Sequence, residues 1–135
     1  MEFSEFSRLI KEADGHIASG RLKEAETMLY ALIIRDISDL DKAALCVKMA
    51  YVFDRLGISE DALSWYEKGA AYEQIYGRFE ITEKKAEYLS LLGRSKEAIA
   101  IYETLASQPF ITEADKNRMQ KTIVSLVGKQ MREWR

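Results

Sequence analysis

The sequence predicts an all-α protein, a solenoid of helix pairs stacked one on the next, and three observations predict it. Three short strings align: GRLKEA at Gly20–Ala25, GISEDA at Gly57–Ala62 and GRSKEA at Gly93–Ala98, with glycines 37 and 36 residues apart. Each string lies between two stretches whose apolar residues recur at helical spacing. A single proline and seven glycines leave little material for long loops or for the many turns of an all-β design. With 135 residues, 47% hydrophobic and 31% charged, the chain has the length and composition of one folded domain, taken as residues 1–135.

The pairs are expected at about residues 4–19 with 22–35, 40–56 with 59–76, and 80–92 with 95–107. A glycine ends the first helix of each pair by taking a left-handed conformation without a Cβ penalty. Ser59 and Ser95 follow as helix caps. Ala25, Ala62 and Ala98 let the two helices of a pair approach closely; a large residue lies four on, at Leu29, Tyr66 and Tyr102, and the two tyrosines fill the space between neighbouring pairs. The stripe Tyr66, Gly69, Tyr72, Glu73 and Tyr76 prolongs the helix after Gly57, and this extension is expected to account for the long period. A last helix, about 113–133, opens at Thr112 with Asp115 three residues on, a pattern like a capping box. Its Met119, Ile123, Leu126 and Val127 follow helical spacing, and it reads as a C-terminal cap over the third pair.

These residues resemble the tetratricopeptide repeat family. The second-helix signature of that family runs from a glycine to an alanine five residues on and an aromatic nine on, places held here by Ala25, Ala62 and Ala98 and by Tyr66 and Tyr102. The resemblance spans roughly residues 6–107. The period of 36–37 exceeds the family's usual value of about 34. The first-helix pattern is met best by Cys46, Met49, Ala50 and Phe53, and the closing proline occurs once, as Pro109. The resemblance implies a right-handed superhelical solenoid of three such pairs plus the capping helix, with the first helices lining a concave groove. Carried over place by place, that groove holds Ile10, Asp14 and Ile17 from the first pair. The second pair offers Ala44, Val47, Tyr51, Asp54 and Arg55, and the third Glu80, Glu83, Glu87 and Ser90. Members that bind heat-shock chaperones grip a C-terminal carboxylate with Lys, Asn and Arg. Here Ile, Val, Tyr and Glu stand in those places and the only asparagine is Asn117, which argues against that role. Three repeats in a small chain are also similar to the chaperones of type III secretion translocators, on size and repeat number alone.

No string of the kind that cradles phosphate, holds zinc or raises a nucleophile is present. One cysteine, Cys46, and one histidine, His16, exclude an internal disulfide and a Cys/His zinc site, and both fall on core-packing places of the repeat. Carboxylates stand beside Lys and Arg, as in GRLKEAE and ITEKKAE, the pattern of solvated helix faces. No catalytic residue, metal ligand or cofactor is expected, and no enzyme. A net charge of −2 gives no basic field for nucleic acid. Residues 113–135 are locally basic, six Lys and Arg against three Asp and Glu, which complements the negative end of a helix or meets an acidic partner. The longest apolar stretch, Ala43–Phe53, is far short of the roughly 20 residues of a membrane span. MEFSEFSRLIKEADG lacks the basic-then-apolar order of a signal peptide, so a cytoplasmic protein is expected.

The helix from Ala43 to Leu56 is apolar nearly all round, which leaves a strip near Val47 and Tyr51 beyond its internal needs. Three readings fit: a central helix of a tight bundle, a groove for a partner's segment, or a surface for self-association. Trp65 fits either packing, the commoner role, or a binding hot spot. The expected function is a non-enzymatic adaptor or chaperone-like module that binds another protein's peptide segment in its groove. Beside Glu83 and Glu87, that segment should carry apolar anchors and a few basic residues. The alternative is an assembly protein that forms a homo-oligomer through the same surface.

Overall fold

The computed structural model describes residues 2–133; of the expected domain 1–135, Met1, Trp134 and Arg135 lie outside them. The described residues form seven α-helices and no strand. In chain order these are α1 (Phe3–Ala18), α2 (Leu22–Ile33), α3 (Asp39–Arg55), α4 (Ser59–Gln74), α5 (Glu80–Leu91), α6 (Ser95–Ala106) and α7 (Glu113–Glu133). All seven end within two residues of the sequence expectation. They group into two compact units, Met1–Tyr76 with α1–α4 and Gly77–Arg135 with α5–α7. In the first unit each helix packs on the next in the chain, and in the second α6 packs on both α5 and α7.

The turn inside each pair is built identically. Gly20, Gly57 and Gly93 have φ of 77°, 79° and 80°. At the first, Gly20 N–H donates to the Ile17 carbonyl at 3.1 Å and Arg21 N–H to the His16 carbonyl at 2.8 Å. The same two bonds recur at Gly57 with Asp54 and Phe53, and at Gly93 with Ser90 and Leu89. These bonds satisfy carbonyls that a helix end leaves orphaned, and only glycine enters that backbone region without strain. Each reversal returns the chain so that Ala25, Ala62 and Ala98 meet the preceding helix; all three are 0% exposed.

Two expectations need correction. Ser59 and Ser95 are the first helical residues, not caps: the capping positions are Ile58 and Arg94, and neither side chain caps the backbone of its helix. The Ser95 hydroxyl is buried and lacks a hydrogen-bond partner among the described residues. The polar caps lie elsewhere. Ser38 Oγ accepts the Asp41 N–H of α3 at 3.1 Å, and Thr112 Oγ1 accepts the Asp115 N–H of α7 at 3.1 Å, as expected at Thr112. The long period also has two sources. The 16-residue α4, against 12 residues in α2 and α6, lengthens only the second repeat. The first owes its length to the 17-residue α3 and the connection over residues 34–38.

The core of the first unit is centred on α3, whose Leu45, Cys46, Met49 and Val52 pack with Ile17 of α1 and Leu29 of α2. Trp65 of α4 leans on this core, edge-on to Tyr30 with centroids 6.5 Å apart and with Lys68 Nζ 4.3 Å from its own centroid. It is a packing residue. In the second unit Met119 and Leu126 of α7 are buried together with Tyr102 and Leu105 of α6. Burial pushes the Tyr102 hydroxyl up to about 12, with Glu87 and Glu83 adding to the shift. Phe110, in the connection to α7, packs on Phe79 at 6.3 Å.

A forked ion pair holds α7 to α5. Both guanidinium nitrogens of Arg118 donate to the carboxylate of Glu83, and Nη2 also reaches Asp115 Oδ1 at 3.1 Å. The Arg118 bond, followed by the one from Thr112, lowers the Asp115 pKa below the usual carboxylate range. Asp115 therefore contributes stability above its unfolded pKa and loses it as pH falls through the folded value.

Two substitutions test this packing. Ala62→Glu places a charge and extra volume at a fully buried contact and should lower unfolding free energy by about 3 kcal/mol or more in urea titration; an unchanged midpoint would remove Ala62 from the core. Arg118→Met strands the buried Glu83 carboxylate and should cost about 1–3 kcal/mol. Adding Glu83→Leu should recover most of that loss; strictly additive effects in the double-mutant cycle would mean the pair does not couple α7 to α5.

Candidate functional site

The surplus apolar surface of α3 faces outward as a single stripe. While Leu45, Cys46, Met49, Ala50 and Val52 are buried, Leu40, Ala44, Val47 and Tyr51 recur on the opposite face, Leu40 and Val47 half-buried and Ala44 exposed. Tyr51 remains 48% exposed. At about 1.5 Å per residue the stripe runs roughly 16 Å, the span of about five residues of extended chain.

Two polar links tie this helix to α1 alongside the stripe. Lys48 Nζ bonds Asp14 Oδ1 at 2.8 Å, and Arg55 Nη1 donates to the Ile17 carbonyl at 2.8 Å. The Arg55 guanidinium also lies 5.8 Å from the centroid of the Tyr51 ring, a cation–π contact that orients both side chains. The first turn of α3 carries Asp39 and Asp41, and its last turn carries Asp54 beside Arg55.

Of the residues assigned to a groove by resemblance, Ile10, Asp14, Ala44, Val47, Tyr51, Asp54 and Arg55 are exposed or half-buried in the first unit. Ile17 is a correction: its side chain is part of the core, and only its carbonyl takes part, as acceptor for Arg55. Glu83 is another. It is 9% exposed and bound by Arg118, because the capping helix needs an anchor on α5 and a buried carboxylate needs a cation. Glu87, one turn on, is exposed. Lys48 and Leu40 were missed by sequence reasoning. For Lys48 a signal existed: Asp14 and Lys48 are 34 residues apart and Glu83 and Arg118 are 35 apart, opposite charges at similar separations a little short of the 36–37-residue repeat.

The chemistry-bearing side chains lie elsewhere. Cys46 is 0% exposed, and burial pushes its thiol up to about 11, the nearby Lys68 charge opposing only in part. His16, expected in the core, is half-buried, and its Nδ1 accepts from Arg21 Nε at 2.9 Å. It borders an open cleft of about 620 Å³ between α1 and α2, whose walls include Leu9, Met28 and Arg35. Among the described residues no three His, Cys, Asp or Glu side chains converge as a metal site. No helix among them is long and apolar enough to cross a membrane.

No family model matches the chain, and no curated protein matches it. Solved structures do. PcrH from Pseudomonas aeruginosa, in complex with the chaperone-binding region of PopD, matches with a TM-score of 0.66 at 21% identity, over 96% of this chain and 96% of that one. The type III secretion translocator chaperone SycD of Yersinia enterocolitica matches at 0.65 and 18% identity, over 97% of this chain and 89% of that one. SycD with a peptide of the translocator YopD gives 0.65 and 19%, over 96% and 97%. This is a likeness of fold extending over nearly the whole chain, and it assigns the protein a tetratricopeptide-like helical-repeat fold.

The burial of Cys46 makes a direct expectation. A thiol-reactive disulfide reagent at pH 8 should leave the native protein unlabelled and label it only as fast as it opens, with full reaction in denaturant. Rapid labelling of the native protein would contradict the position of α3 in the core.

Proposed function

We propose that this chain is a non-enzymatic, chaperone-like binding module that holds an extended segment of a partner protein on the outer face of α3, beside α1. The observation that carries the reading is the stripe Leu40, Ala44, Val47 and Tyr51 on a helix whose remaining apolar residues are buried or, like Phe53, packed against the core. A stripe of that length suits alternate side chains of an extended strand, with Tyr51 as a rigid aromatic anchor at low entropic cost. Lys48 and Arg55 are already fixed by α1, so binding does not require them to order. Support comes also from the neighbours of the same fold, solved with a chaperone-binding region of PopD and with a peptide of YopD. On this reading the chain belongs among tetratricopeptide-type chaperones of the type III secretion translocator kind, acting in the cytoplasm on a protein client.

A displayed library of twelve-residue peptides, selected on the wild-type protein and measured by fluorescence anisotropy, tests the reading. Selected peptides should carry apolar residues at alternate positions. Tyr51→Ala should weaken them by about 1–3 kcal/mol while leaving the thermal midpoint within a few degrees of wild type. Peptides that bind the variant undiminished would place the site elsewhere, and a variant that unfolds would make α3 simply core. If the stripe serves a second copy of the chain instead, light scattering would show a dimer that Tyr51→Ala dissociates.

A further inference from the structure

Arg55 ends the apolar stripe with its charge unanswered. Its two partners, the Ile17 carbonyl at 2.8 Å and the Tyr51 ring at 5.8 Å, orient the guanidinium without neutralising it. Among the described residues no carboxylate pairs with it. A guanidinium carries five N–H donors in a fixed fork, most of which remain available here. The contrast with its neighbours is informative. Lys48, the other cation along the stripe, is paired with Asp14, and Arg118 of the second unit is paired with Glu83. The carboxylate next to Arg55 in the chain, Asp54, is exposed, and the first turn of α3 carries Asp39 and Asp41.

We infer, resting on the peptide-binding reading above, that Arg55 is a specificity-determining residue that pairs with an acidic side chain of the bound segment. The partner is then an extended apolar stretch with Asp or Glu at the end lying over Tyr51. A carboxylate lying over the Arg55 guanidinium gains a forked, charge-assisted bond. A side-chain carboxylate fits better than a chain terminus, because the stripe offers one uncommitted cation and not the several donors that grip a terminal carboxylate. This reverses the expectation from sequence of a partially basic partner, since Glu83, half of the acidic pair behind that expectation, is occupied by Arg118.

The test uses the peptides selected on the wild-type protein, synthesised with acetylated and amidated ends. The strongest should contain an acidic residue flanking the apolar anchors. Replacing it by its amide should weaken binding to wild type roughly tenfold and to Arg55→Gln by less than about twofold. Because the first change is made on the peptide, it reads the contact independently of any effect of the variant on folding. Selection on Arg55→Glu, folded by circular dichroism, should return basic residues at the same place. If amide replacement has no effect while Tyr51→Ala still abolishes binding, the groove stands and the pairing of Arg55 is wrong. Peptides that bind without Tyr51, or no selected binder at all, overturn the groove and the pairing together. Binding that requires a free C-terminal carboxylate overturns the assignment to a side chain.

Discussion

Everything in this fold depends on helices approaching closely enough to bury apolar faces that no pair can bury alone. Two residue types make the approach available. A glycine at positive φ reverses the chain in a single step while both helix-end carbonyls stay bonded, and an alanine five residues later presents almost no side chain where the axes are nearest. A larger side chain at Ala62 would push the pair apart, and a side chain at Gly57 would strain the reversal. The large residues then have defined places: Leu29 and Tyr102 are buried one turn beyond these alanines.

Ion pairs link alternate helices within each unit. Asp14 of α1 meets Lys48 of α3, and Glu83 of α5 meets Arg118 of α7. The two pairs differ in burial and so in consequence. Asp14 and Lys48 are substantially solvated, which makes their link a matter of orientation more than of stability. Glu83 is nearly dry, so its carboxylate requires the Arg118 fork, and α7 is fastened where a further helix pair would otherwise begin.

The same logic leaves α3 with more apolar surface than its neighbours cover. Its inner residues are buried or, like Phe53, packed against the core, and its outer stripe is bounded by cations that α1 already holds.

The helices, their order, the glycine reversals, the buried alanines and the Thr112 cap could all be read from the sequence, because each rests on contacts within a few residues of one another. The surplus on α3 was legible too, since it follows from counting apolar residues around a single helix. What the sequence could not decide was which side of a residue faces which neighbour. Ile17 and Glu83 matched groove places by register, yet one belongs to the core and the other to the anchor of α7. Arg55 matched a groove place as well, but only the folded chain shows that its partners are a carbonyl and a ring and not a carboxylate. Local hydrogen bonding and periodicity are written in neighbouring residues. Polar contacts between residues 34 to 38 positions apart depend on how helices pack, and the tertiary structure determines them.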